Sequence, residues 1–154
     1  MTTLLLIVHG LIAVGLLGAV THQAIAVWAP ARQPAGSFAG RARSVSAPVY
    51  STAIVVLYLC TAVLGGVLYP EYRLEVRSVI EQLKLWPAFG AFELKEHFAA
   101  IGLGMLPAYW VFWRAPLSTK HARTRAMLTV MLAFIVWWNF LTGHVLNNIR
   151  GFGA

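Results

Sequence analysis

Residues 3–28 read TLLLIVHGLIAVGLLGAVTHQAIAVW, twenty-six positions without one Asp, Glu, Lys or Arg. An α-helix needs about 20 mostly apolar residues to cross roughly 30 Å of hydrocarbon, so this run is predicted to span a bilayer. Working outward, residues 49–69, 97–113 and 126–147 have the same character, the third being the shortest. None shows the period-two alternation of a barrel strand, and a backbone in lipid must satisfy its own polar groups, so all four are expected to be helices. Composition agrees: 59% of the 154 residues are hydrophobic and 11% charged, outside the soluble range. The fold class predicted is therefore all-α, an integral membrane four-helix bundle forming a single domain over residues 1–154. The first segment is expected to be a retained helix, because only Met1, Thr2 and Thr3 precede an apolar run longer than a signal peptide's core.

Charge sets the expected orientation. Arg32, Arg41 and Arg43 follow the first span, and Arg114, Lys120, Arg123 and Arg125 follow the third, with no acid in either loop. By the positive-inside rule both loops face the cytoplasm, which puts both termini in the periplasm of a bacterial inner membrane. The middle loop holds Glu71, Glu75, Glu81, Glu93 and Glu96, all five acids of the chain. Within it Val76, Val79, Ile80 and Leu83 recur at i, i+3, i+4 and i+7, which predicts a short amphipathic interfacial helix from about Glu71 to Leu85, between helices 2 and 3 and ended by Pro87. The net charge of +7 is scattered over short loops with no stacking platform, so nucleic acid is not an expected partner; the lipid bilayer is, with anionic headgroups at the Arg-rich loops.

Polar side chains inside a span are costly and mark candidate sites. His9, His97 and His144 stand on three different spans, all in the half nearer the acidic loop. Such a set can bind a metal or a haem, since neutral imidazole is the commonest protein ligand for both. Gly10, Gly143, Gly102 and Gly104 stand near them and would give a flat group room, although glycines also serve plain helix packing. Glu93 and Glu96 precede His97 and are placed to orient it; Asn147, Asn148, Arg73, Arg77 and Arg150 share that end of the bundle. The plain alternative is that these histidines only cap helix ends and bond to the neighbouring acids and amides. His22 is expected in an interhelical hydrogen bond, His121 in solvent, and the single Cys60 as a packing residue. The same constellation also suits a quinone head group, whose carbonyls exchange protons with histidine and carboxylate.

No Walker loop, dinucleotide glycine fingerprint, nucleophile elbow or His-Glu-x-x-His motif is present, which removes support for hydrolase and ATP-driven readings. In architecture, and in histidines on facing spans, the chain resembles the four-helix membrane b-type cytochromes, such as those that anchor succinate dehydrogenase or oxidise quinol. The resemblance covers about the whole chain at the level of architecture. It departs from the pattern in that the second span has no histidine. What it implies is a haem b between two of His9, His97 and His144, with His9 and His144 the first choice, and propionates near Arg73, Arg77 or Arg150. The expected function is then electron transfer, quinol-linked, within or to a respiratory complex, with partner subunits in the membrane or periplasm. Two alternatives stay open: a non-catalytic accessory subunit whose charged outer loop docks a partner, and a copper or zinc site on the same three histidines.

Overall fold

The computed structural model describes residues 2–28, 47–114 and 119–152, with side chains described for 3–28, 50–114 and 119–148. Among these residues every element is helical. α1 covers Thr2–Trp28. α2 covers Ala47–Tyr72 and runs on through a π-helical turn, Arg73–Arg77, into the short α3, Ser78–Gln82. α4 covers Trp86–Arg114, and a 3₁₀ turn at Thr119–His121 leads into α5, Ala122–Phe152. Three segments, Thr3–Trp28, Tyr50–Gln82 and Thr119–Asn148, are long and apolar enough to cross a membrane. α4 is as long, but Glu93, Lys95 and Glu96 lie within it. α1 packs against α2 and α5, and α4 packs against the same two helices, so each long helix touches two others.

Leu11, Val14, Val63, Val67, Val111 and Val145 all point outward with more than half their surface open. Such apolar exposure is compatible with a lipid environment and unfavourable in water. The inward faces form two packed regions. The larger joins Leu16 and Val20 of α1, Ile54 and Tyr58 of α2, Leu106, Tyr109 and Trp113 of α4, and Leu132 and Val136 of α5. Polar side chains inside it are paired across helices: the Tyr109 hydroxyl bonds Gln23 Oε1, and Trp113 Nε1 donates to Thr129 Oγ1 at 3.1 Å. The smaller region joins Val76, Ile80, Phe92 and Leu146, with Tyr69, Tyr72 and Phe89 packed on it.

The connection between α2 and α4 differs from the sequence expectation. The amphipathic segment is not a separate helix, because it continues α2. Pro70 lacks the N–H that would close a bond to Gly66, and within one turn of it the chain adopts π geometry, a usual accompaniment of a locally broken ladder. The segment ends before Pro87. Leu85 N–H bonds Ile80 C=O and Lys84 N–H bonds Glu81 C=O, both at 3.0 Å, around Lys84 at φ 54°. This is a Schellman stop with a lysine in the left-handed position that glycine usually takes. Pro87 instead lies in the first turn of α4, where its missing N–H has no intrahelical partner to lose. α4 consequently starts at Trp86, eleven residues before the expected third span. The predicted stripe is half used: Val76 and Ile80 are buried, whereas Leu83 is exposed.

One close approach ties α2 to α4. A Cβ on Gly102 would collide with the Tyr58 ring and hydroxyl, whose O–H donates to Ala99 C=O at 2.9 Å. Gly102→Ala is therefore expected to destabilise by about 1–3 kcal/mol. Gly104→Ala, with nothing within 4 Å of its Cβ position, should stay within about 0.5 kcal/mol. Thermal midpoints in detergent compare the two, and equal midpoints would show that the Tyr58 contact does not constrain the packing.

Candidate functional site

Between the two packed regions lies a cavity of ≈ 620 Å³. Leu16, Tyr58 and Val136 of the larger region close one end, and Tyr69 and Tyr72, which pack on the smaller, close the other. Its volume is within the roughly 300–1,000 Å³ of sites that hold cofactors and small ligands. The walls are mostly apolar, with polar side chains from all four long helices: His9 from α1, Tyr69 and Glu71 from α2 and Glu75 from the turn that follows it, Lys95 and Glu96 from α4, and Asn139, His144 and Asn147 from α5.

His9 reaches the cavity because helix α2 presents Gly65 opposite it. Its Cε1 lies 3.3 Å from where a Cβ on Gly65 would stand, so any larger residue there would push the imidazole away. The ring sits beside the Thr61 backbone carbonyl, yet its buried Nδ1 has no partner at hydrogen-bond distance. A buried ring nitrogen left unpaired is uncommon and invites a ligand. The glycine that makes this room is Gly65 and not the adjacent Gly10, which has open space around it. His144, from the other end of the chain, lines the same cavity.

His97 is not part of this lining. It is exposed, and its Nδ1 donates to Glu93 C=O at 2.7 Å, a bond to the preceding turn of its own helix. The expected carboxylate support for His97 is therefore supplied by a carbonyl. The Glu93 carboxylate is engaged elsewhere, in a 2.9 Å ion pair with Arg77. Among the described residues no group of three or more His, Cys, Asp or Glu side chains assembles to hold a metal ion. The three-histidine constellation of the sequence thus separates into a cavity pair, His9 and His144, and an outlying His97.

The other candidates divide in the same way. Glu96 lines the cavity and accepts from the Tyr69 hydroxyl at 3.0 Å. Asn147 also lines it, whereas Asn148 and Arg73 are exposed and do not. Arg77 lies over the Phe89 and Phe92 rings, 5.0 and 5.9 Å from their centroids, and does not line the cavity. The side chain of Arg150 lies outside the described residues. His22 meets the Tyr50 ring at 5.1 Å, and His121 meets Phe112 at 5.4 Å; neither touches the cavity. Cys60 is exposed on α2.

Sequence reading missed two contributors, Gly65 and the Tyr69–Glu96 pair. Lys95, which the sequence groups with Glu93, Glu96, Asn139 and Asn147 at the outer mouth of the bundle, does line the cavity. Gly65 carried no signal, because its role exists only through His9 on another helix. Comparison of the chain with protein-family models, with characterised proteins and with solved structures finds no match, so function has to be argued from these residues.

The Arg77–Glu93 pair is partly open to solvent, with side-chain exposures of 22% and 37%. A cycle of Arg77→Met, Glu93→Gln and the double variant is expected to give a coupling below about 1 kcal/mol, weakening as salt rises. Unfolding midpoints in detergent measure it. A salt-independent coupling of several kcal/mol would mean that the pair is far more desolvated than its exposure indicates.

Proposed function

We propose that this chain is a four-span membrane bundle that holds a haem b in its cavity and passes electrons, with quinol as the linked donor. The supporting observation is that two histidines far apart in sequence, on α1 and α5, open on one mostly apolar cavity of ≈ 620 Å³, one of them with an unpaired buried ring nitrogen. The residues present fit the group: imidazoles from two helices for axial ligation, apolar walls for a macrocycle, and Gly65 holding space open beside the His9 ring. His9 and His144 are the ligands in this reading, and His97 is not. A copper or zinc centre on all three histidines is less well supported, since His97 lies apart from the other two.

A haem supplies one-electron chemistry, and the chain supplies its surroundings. Leu16, Val136 and Leu103 give the cavity apolar walls against which a macrocycle can pack. The Tyr69–Glu96 pair offers a carboxylate at Oε2 already engaged with a hydroxyl, a place where a proton can be held beside a quinol hydroxyl. The Arg-rich ends of α4 and α5 face the cytoplasm under the positive-inside rule, which places the acidic end and both termini in the periplasm of a bacterial inner membrane. There the exposed Glu71 and Glu81 offer a docking surface to a partner subunit.

A reduced-minus-oxidised visible spectrum of the purified protein, produced with an ample haem supply, tests the reading. A b-type α-band is expected in the wild type and in His97→Ala, and its loss is expected in His9→Ala and in His144→Ala. A featureless spectrum from well-folded protein, or a band that survives both cavity substitutions, overturns the haem assignment.

A further inference from the structure

The charges are divided unequally between the two ends of the bundle. All five acids lie between Glu71 and Glu96, and no Asp or Glu follows Glu96. At the end away from the cavity, α1 stops, α2 starts, α4 stops and α5 starts; His22 meets Tyr50 there, Gln23 meets Tyr109, and Trp113 meets Thr129. Seven basic residues belong to that end and no acid: Arg32, Arg41 and Arg43 in the segment joining α1 to α2, and Arg114, Lys120, Arg123 and Arg125 around the turn from α4 to α5. The other five basic residues of the chain are matched by its five acids, so the net charge of +7 belongs entirely to this end. Arg125 is buried against Trp113, its guanidinium carbon 5.9 Å from the ring centroid. Arg114, Lys120 and Arg123 are exposed, and Arg114 is steadied by the Trp110 ring, over which it lies at 4.5 Å.

What stands beside these cations identifies their partner. On a helix, residues three and four apart share a face. One turn before Arg114 on α4 comes Val111, then Pro107 and Gly104, all exposed. One turn after Arg123 on α5 comes Met127, then Val130 and Met131, then Phe134, also exposed. Each stripe therefore begins at a cation and runs on as apolar surface. From Arg114 to Gly104 is roughly 15 Å at about 1.5 Å per residue, half of the roughly 30 Å hydrocarbon core and so the depth of one leaflet. An acidic protein or a free phosphate would meet the cations and leave the stripes uncovered. A molecule with an anionic head and acyl chains meets both. We propose that Arg114, Lys120 and Arg123 form a headgroup site for an anionic phospholipid, whose acyl chains lie along the exposed stripes of α4 and α5. The site stands at the opposite end of the bundle from Glu71, Glu75 and Glu96 and is independent of what the cavity holds.

The test is a titration read by native mass spectrometry. The full chain, purified in a nonionic detergent, is titrated with phosphatidylglycerol, with phosphatidylcholine of the same acyl chains, and with inorganic phosphate. One basic side chain near an anionic membrane surface is worth about fivefold in affinity. The wild type is therefore expected to prefer phosphatidylglycerol over phosphatidylcholine by about tenfold or more, and by less as salt rises. Inorganic phosphate is expected to bind far more weakly than either lipid, since it leaves both stripes uncovered. The triple variant Arg114→Gln, Lys120→Gln, Arg123→Gln should lose the preference with its affinity for phosphatidylcholine unchanged. The double variant Arg73→Gln, Lys84→Gln, altered at the other end, should keep it. A wild type that does not discriminate between the two lipids overturns the site and leaves the basic patch to an acidic protein. Phosphate that binds as tightly as the lipid, or a preference that the double variant loses as fully as the triple one, overturns it too. The wild-type preference and its salt dependence are readable even where a variant does not fold.

Discussion

A chain whose outward side chains are leucine, isoleucine and valine has only its inward faces on which to place anything polar. In hydrocarbon, a polar group turned outward has neither water nor protein to bond, so it turns inward or is absent. α1 and α2 are apolar all round and carry almost no amphipathic signal. What distinguishes their inner faces is small size and a few polar atoms. Gly10 and Ala13 of α1, Gly65 and Gly66 of α2, and Gly143 of α5 all line the cavity. Small residues at facing positions normally draw helices together. Here they surround an open volume, bounded by Tyr58 at one end and by Tyr69 and Tyr72 at the other.

The closed end of that volume depends on how α2 is continued. A helix that stopped at Pro70 would leave the cavity open at the level of Tyr69. The π turn after Pro70 instead carries Val76 and Ile80 onto Phe92 and Leu146, and these four side chains are at most 2% exposed. The Schellman stop at Lys84 then reverses the chain so that α4 begins with its first turn beside this cluster. Arg77 and Lys95 meet the Phe92 ring at similar distances, each 5.9 Å from its centroid, but they do different things. Arg77 is paired with Glu93 outside the cavity, whereas Lys95 lines the cavity together with Glu96.

Much of the architecture was legible in the sequence because hydropathy alone marks segments that lipid can accept. The runs at 3–28, 49–69 and 126–147 coincide with α1, α2 and α5 to within a few residues, except at the C-terminal end of the last. The start of α4 was misread, since Pro87 and the charges at Glu93, Lys95 and Glu96 look like a loop to a hydropathy scale although a helix accommodates them all. The site was legible only as residue types. Depth along each span placed His9, His97 and His144 at one level, but depth says nothing of azimuth, and azimuth separates the two cavity histidines from His97. The pairing of Tyr69 with Glu96 and the space that Gly65 makes for His9 are facts of two helices at once. No single segment encodes them.

The division of labour along the bundle follows from these energetics. The larger packed region pairs polar groups across helices, as Tyr109 does with Gln23 Oε1 and Trp113 with Thr129, although Gln23 Nε2 is left buried without a partner. In the cavity a buried imidazole nitrogen without a partner opposes folding. Such a cost is tolerated where neighbouring structure over-determines the geometry, and here a packed cluster stands at each end of the cavity. Functional sites are where local stability is expected to be given up. On that ground His9 is set apart from Thr129: its imidazole lines the cavity with a ring nitrogen still to be bonded, which a ligand can complete, whereas the Thr129 hydroxyl is already paired.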